Sequence, residues 1–167
     1  MNWLTARVPF LGLLIAIPAI AQQPSAPSNS NALCTFEDGI QIRITYSGSG
    51  ATNSDKLPRD KMWTPANQPM VLFTASPVKM AGTVIPAGAY SLYMMPGRSA
   101  WTLIVNKDVT PGHEYDSSKD VVRATMELGK LPVTQPLQIG FARMGPKQCN
   151  MRFYYGQIGT YADINEQ

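Results

Sequence analysis

From Ile40 onward the chain alternates apolar and polar residues with a period of two. Ile40, Ile42, Ile44 and Tyr46 are separated by Gln41, Arg43 and Thr45. Trp101, Leu103 and Val105 alternate with Thr102 and Asn106, with Ile104 interrupting the polar row. Leu137, Ile139 and Phe141 alternate with Gln138 and Gly140, and Met151, Phe153 and Tyr155 with Arg152 and Tyr154. A pleated strand sends successive side chains to opposite faces, so each run offers one row to a core and one to solvent. Met70–Ala75, Ala89–Met95, Val121–Glu127 and Thr160–Ile164 are shorter strand candidates. Pro86-Ala87-Gly88, Pro96-Gly97, Pro111-Gly112, Gly145-Pro146 and Gly156 separate the runs at hairpin-like intervals. No helical stripe of a dozen residues competes, and 14 prolines with 13 glycines disfavour long helices. The expectation is an all-β, single-domain antiparallel β-sandwich or jelly-roll-like barrel of about eight short strands, with strand order open.

The first 21 residues have another pattern. Arg7 precedes an apolar run from Val8 to Ile20, and Ala19-Ile20-Ala21 is a small-x-small cleavage signal. The run is shorter than the roughly 20 residues a membrane span needs, and Gly12 and Pro18 interrupt it. This predicts a signal peptide over 1–21 removed after Ala21, a polar flexible leader over 22–33, and an all-β domain over 34–167. The product is expected in the periplasm or secreted, with no membrane span in the mature chain. The formal net charge of +3 includes Arg7, and the basic residues are scattered, so a nucleic-acid partner is not expected.

Cys34 and Cys149 lie near the two ends of the domain. In an oxidising compartment two distant cysteines without a C-x-x-C motif read as a structural disulfide. No metal site or cofactor is expected. His113 is the single histidine, too few for a histidine-rich zinc site, and it sits with Glu114 and Asp116 after Pro111-Gly112, where a solvated turn accounts for it. There is no G-x-S-x-G nucleophile motif. Gly48-Ser49-Gly50 lacks the lysine of a phosphate loop and precedes no helix. Eleven acidic residues permit a glycosidase-like carboxylate pair, but nothing selects one. The methionines fall mostly inside strand candidates and read as adaptable core filler.

The longest irregular stretch, Ser47–Pro69, is the candidate working surface, because long loops in compact domains are often functional. Within or beside it, Tyr46, Trp63, Asn67 and Gln68 are the candidate ligand-binding residues. An exposed indole can stack on a sugar face while neighbouring amides bond hydroxyls. The competing reading of Trp63 is a plug that fastens the loop to the core, since large aromatics are usually highly buried. Trp101, at the start of an alternating run, is expected in the core.

Ile85-Pro86-Ala87-Gly88-Ala89-Tyr90-Ser91-Leu92, Met95-Pro96-Gly97-Arg98 and Trp101-Thr102-Leu103-Ile104-Val105-Asn106-Lys107 together resemble the bacterial family known as domain of unknown function 2911. Tyr46-Ser47, Trp63 with Ala66-Asn67, and Asp120-Val121-Val122-Arg123 resemble further blocks in the same order. The likeness runs from about Gln41 to about Phe141. It implies an exported bacterial β-domain with no established activity. The family's Trp block continues with Arg and ends in Asn-Glu, whereas Thr64 follows Trp63 here and Gln68 follows Asn67. Any ion pair or site built from that Arg and Glu is missing from this chain.

The leading functional expectation is a non-enzymatic binding module of the bacterial cell envelope. Its ligand is unknown; a neutral glycan or envelope component is preferred, because Thr64 stands where a charge would favour an anion. The alternatives are a hydrolase or isomerase with a site assembled from dispersed residues, such as His113 and an acid, and a structural interaction domain.

Overall fold

In the computed structural model, residues 29–48 and 57–167 are described. The expected signal peptide over 1–21, most of the expected leader and residues 49–56 of the long loop lie outside them.

Among the described residues, nine antiparallel strands form one sheet: β1 (Asn29–Thr35), β2 (Gln41–Ser47), β3 (Met70–Thr74), β4 (Val78–Met80), β5 (Thr83–Ile85), β6 (Gly88–Pro96), β7 (Ala100–Asn106), β8 (Asp120–Gly145) and β9 (Gln148–Glu166). The spatial order is β1-β2-β3-β6-β7-β8-β9-β4-β5, and the sheet is not closed into a barrel. The all-β antiparallel architecture is as expected; the barrel alternative is not. There are nine strands rather than eight, and two are long. Val121–Glu127 and Leu137–Phe141 are one 26-residue strand, β8, and Met151–Tyr155 and Thr160–Ile164 are one 19-residue strand, β9. Strand β1 begins at Asn29, so Asn29–Leu33, expected in the leader, belong to the sheet.

The long strands turn the sheet over its core. Pro132 and Pro136 carry no ladder donor, and the β8–β9 register slips between Lys130 and Gln138. Opposite them, Gly156 takes φ 60°, a conformation a side chain would disfavour. Gly156 therefore bends β9 rather than separating two strands. Beyond the bend β8 and β9 pair again, Gln138 opposite Tyr154 through Gly145 opposite Gln148. The inward rows of all nine strands meet in one core that includes Ile42, Ile44, Leu72, Leu92, Trp101, Leu103, Met151 and Phe153. Cys34 on β1 is bonded to Cys149 on β9, with Cα atoms 6.4 Å apart.

Ile104, which interrupts the polar row of β7, is completely buried, as are Ser91, Tyr93 and Asn106 on the same outer face. The β7–β8 connection, residues 107–119, packs on this face at Tyr93 and Asn106. Tyr115 stands against Tyr93 with ring centroids 5.0 Å apart. The period-two rule assumed one covered face; here part of the other face is covered too.

Candidate functional site

Tyr46 is turned inward. Its phenol is buried and accepts the backbone N–H of Ile139 (3.2 Å), tying β2 to the irregular part of β8. Trp63 is half-buried and pairs with Met94 on β6 through backbone bonds, Trp63 N–H to Met94 O at 2.7 Å and Met94 N–H to Trp63 O at 3.1 Å. Its ring enters an aromatic group with Trp101, Phe153 and Tyr155, at centroid distances of 6.0, 6.1 and 5.0 Å. The segment before β3 therefore continues the lane of β3 along β6, and the 3-10 turn Pro65–Asn67 is an excursion from that lane. Asn67 and Gln68 are exposed on this turn, Asn67 at φ 58°, and the Gln68 side-chain oxygen accepts from Ser47 Oγ at 3.3 Å. Two of the four candidates thus face the interior and two face solvent. Trp101 is buried, as expected.

His113 is exposed, with Nδ1 3.3 Å from Asp108 Oδ2. It belongs to the clamp that holds residues 107–119 on the sheet. Asn106 Nδ2 donates to Asp116 O and Asp120 Oδ1, both at 2.8 Å, and its Oδ1 accepts from Asp108 N–H at 2.9 Å. Lys119 Nζ lies 2.6 Å from Asp108 Oδ2 and, with the Thr110 amide and His113, holds that carboxyl well below the usual carboxylate range. Tyr115 donates to Asp120 Oδ2 (2.6 Å) and accepts from Arg123 (2.6 Å). Burial first, and the bond to Asp120 second, push the Tyr115 phenol up to about 12. Asn106, Asp108, Tyr115, Asp116, Lys119, Asp120 and Arg123 are engaged with one another or with nearby backbone, which suits a fastening better than a reaction. Among the described residues, no three His, Cys, Asp or Glu side chains form a metal-ligand set.

A concave surface lies where β9 bends. Asn150 and Asp163 sit on its two arms, yet Asn150 Nδ2 donates to Asp163 Oδ1 at 2.8 Å. Outward-facing residues of one strand can meet only if the strand folds toward its outer face there. Arg152 Nε donates to Asn150 Oδ1 at 3.0 Å, so Asn150 bridges a cation and a carboxylate. The resulting crease encloses about 570 Å³, a size typical of small-ligand pockets. Tyr154 and Tyr161 bring aromatic surface, and Tyr161 is 45% exposed. Gly159 has no side chain to fill the floor; a Cβ there would stand 3.2 Å from Leu131 Cδ2 and 3.5 Å from Tyr154 Cδ1. The charged lining balances, Glu127 and Asp163 against Lys130 and Arg152.

None of the crease residues was a sequence candidate. Their one signal is the outward row of the last strands, Asn150-x-Arg152-x-Tyr154 and Tyr161-x-Asp163. Without the bend, such rows read as two ordinary solvated faces.

The family model described as "Protein of unknown function (DUF2911)" matches residues 28–164, beginning one residue before β1 and reaching nearly to the end of β9. No curated protein and no solved structure matches the chain.

Proposed function

This chain belongs to the DUF2911 family of proteins of unknown function, and we propose that it is a non-enzymatic binding module of the bacterial cell envelope that takes a neutral glycan in the crease of β9. The observation that carries this reading is the Asn150–Asp163 bond with Arg152 attached. It presets polar groups beside two tyrosines before any ligand arrives. Rigid polar groups next to an aromatic face suit a sugar, which has hydroxyls on its rim and C–H groups on its faces. A charge-balanced lining favours a neutral ligand over an ion, and preorganisation lowers the entropic cost of binding.

Export rests on the N-terminal pattern, with cleavage after Ala21 and a periplasmic or secreted product. The Cys34–Cys149 bond supports an oxidising compartment. N-terminal sequencing of protein recovered outside the cytoplasm tests the processing; a product that retains Phe10–Ile20 removes that part of the reading.

Saturation-transfer NMR with a panel of neutral envelope oligosaccharides tests the binding. Saturable binding to at least one glycan, lost in Tyr161→Ala while the thermal transition stays put, is the expected result. Absence of binding across the panel, or binding indifferent to Tyr161→Ala and Arg152→Ala, overturns it. Turnover of a bound glycan would instead favour the hydrolase alternative.

A further inference from the structure

A second cavity, about 460 Å³, adjoins the crease across Leu128–Lys130 but has a cationic rather than a balanced lining. It lies between the β6–β7 hairpin, the segment that carries Leu57 and Arg59, and the point where β8 passes Gln157 and Ile158. Arg59, Arg98 and Lys130 line it, all three are exposed, and no acidic residue is in the lining. Among the described residues none of the three cations is in an ion pair. Its apolar part comes from Leu57, Leu128, Ile158 and the buried Trp101. Asp60 is adjacent, its backbone N–H donating to Pro96 O at 2.8 Å, which fastens the Arg59 segment to the hairpin that carries Arg98.

We propose that this cleft binds a small amphipathic anion, a carboxylate or phosphate on an apolar body of about the size of a fused ring pair. Three cations drawn from three separate segments line one opening, and their charges add to attract an anion. Guanidinium groups match both carboxylate and phosphate oxygens through paired N–H donors. The apolar wall beneath them gives the rest of the ligand a place out of water. The inference stands apart from the glycan reading, because neither Arg59 nor Arg98 lines the crease.

Isothermal titration calorimetry with 1-naphthyl phosphate, 1-naphthoate and neutral 1-naphthol tests it. Both anions are expected to bind saturably, at least tenfold tighter than 1-naphthol, and to weaken with added sodium chloride. The tighter of the two identifies the headgroup. Arg59→Glu with Arg98→Glu should weaken both anions at least tenfold and leave 1-naphthol unchanged. Lys79→Glu, an exposed cation on β4, should change nothing. Arg98→Gln alone, with a smaller expected loss, serves if the double variant does not fold. Equal affinity for naphthol and the anions, no saturable binding of either anion, or undiminished binding in the arginine variants overturns the proposal. Glycan binding in the crease should be unaffected by Arg59→Glu and Arg98→Glu, so the two readings fail separately.

Discussion

Trp63 meets Trp101 edge-on, with ring centroids 6.0 Å apart and planes inclined at 75°. Edge-to-face pairs at this separation exceed simple burial by about 0.5–1.5 kcal/mol. Trp63 is thus a fastener for the segment before β3, with its ring in the same group as Phe153 and Tyr155. Trp101→Ala should cost about 3–5 kcal/mol and Trp63→Ala about 3 kcal/mol, since Trp63 is only half-buried. Chemical denaturation of the two variants beside the parent checks this. A near-zero loss in Trp63→Ala would return the indole to the list of ligand contacts.

Tyr46→Phe removes one oxygen and nothing else. It leaves the Ile139 N–H without its buried acceptor. The expected loss is about 1–3 kcal/mol, the range for an unsatisfied buried donor. Hydrogen exchange at the Ile139 amide should accelerate in the same variant, and an unchanged rate would mean that another acceptor takes over.

The Cys34–Cys149 bond spans 115 residues of sequence. A closed loop of that length is worth about 4–5 kcal/mol in the chain-entropy model, with less realised when the native geometry is strained. Thiol counting of denatured, unreduced protein should find no free thiols. Cys34→Ala with Cys149→Ala should lower the free energy of unfolding, read by chemical denaturation, by an amount approaching that figure. Two reactive thiols in exported protein would contradict the bond.

The clamp over β6 and β7 should weaken in acid. Lys119 foremost, then Thr110 and His113, hold the Asp108 carboxyl below its ordinary range. The unfolded chain therefore takes up a proton near pH 3.9 while the folded chain still resists it, so stability is full above that pH and falls as pH drops below it. Asp108→Asn should flatten the fall in thermal midpoint below about pH 4. Parallel profiles in parent and variant would show that the carboxylate is not the group responsible.

At the alkaline end stability is also lost, but with the opposite slope against pH. Tyr115 stays protonated in the fold up to about 12, while an unfolded tyrosine ionises near 10. The folded state then holds the extra proton, and stability declines as pH rises through that interval. A difference titration of phenolate absorbance between the parent and Tyr115→Phe should place the missing transition near 12. A midpoint near 10 would mean that burial and the bond to Asp120 do not hold the phenol as described.

Alternation by itself determined that this chain folds as antiparallel strands, which rows face inward, and that Trp101 belongs to the core. Those are properties of neighbours in sequence, because a pleat repeats every two residues. Cysteine placement likewise pointed to the Cys34–Cys149 bond. Only the tertiary structure decided what happens where strands pass one another. Gly156 reads locally as a break, but across the β8–β9 ladder it lies opposite the stretch with Pro132 and Pro136 and produces a bend, because a partner strand holds the chain together where its own donors fail. That bend brings Asn150 to Asp163 and makes a cavity from two rows that would otherwise face open water. The outer face of β6 and β7 follows the same logic: Ile104 and Tyr93 violate the pattern of a solvated row, and Tyr115 from residues 107–119 folds against Tyr93 there. Burial depends on what covers a residue, and the covering segment lies beyond the reach of a two-residue period.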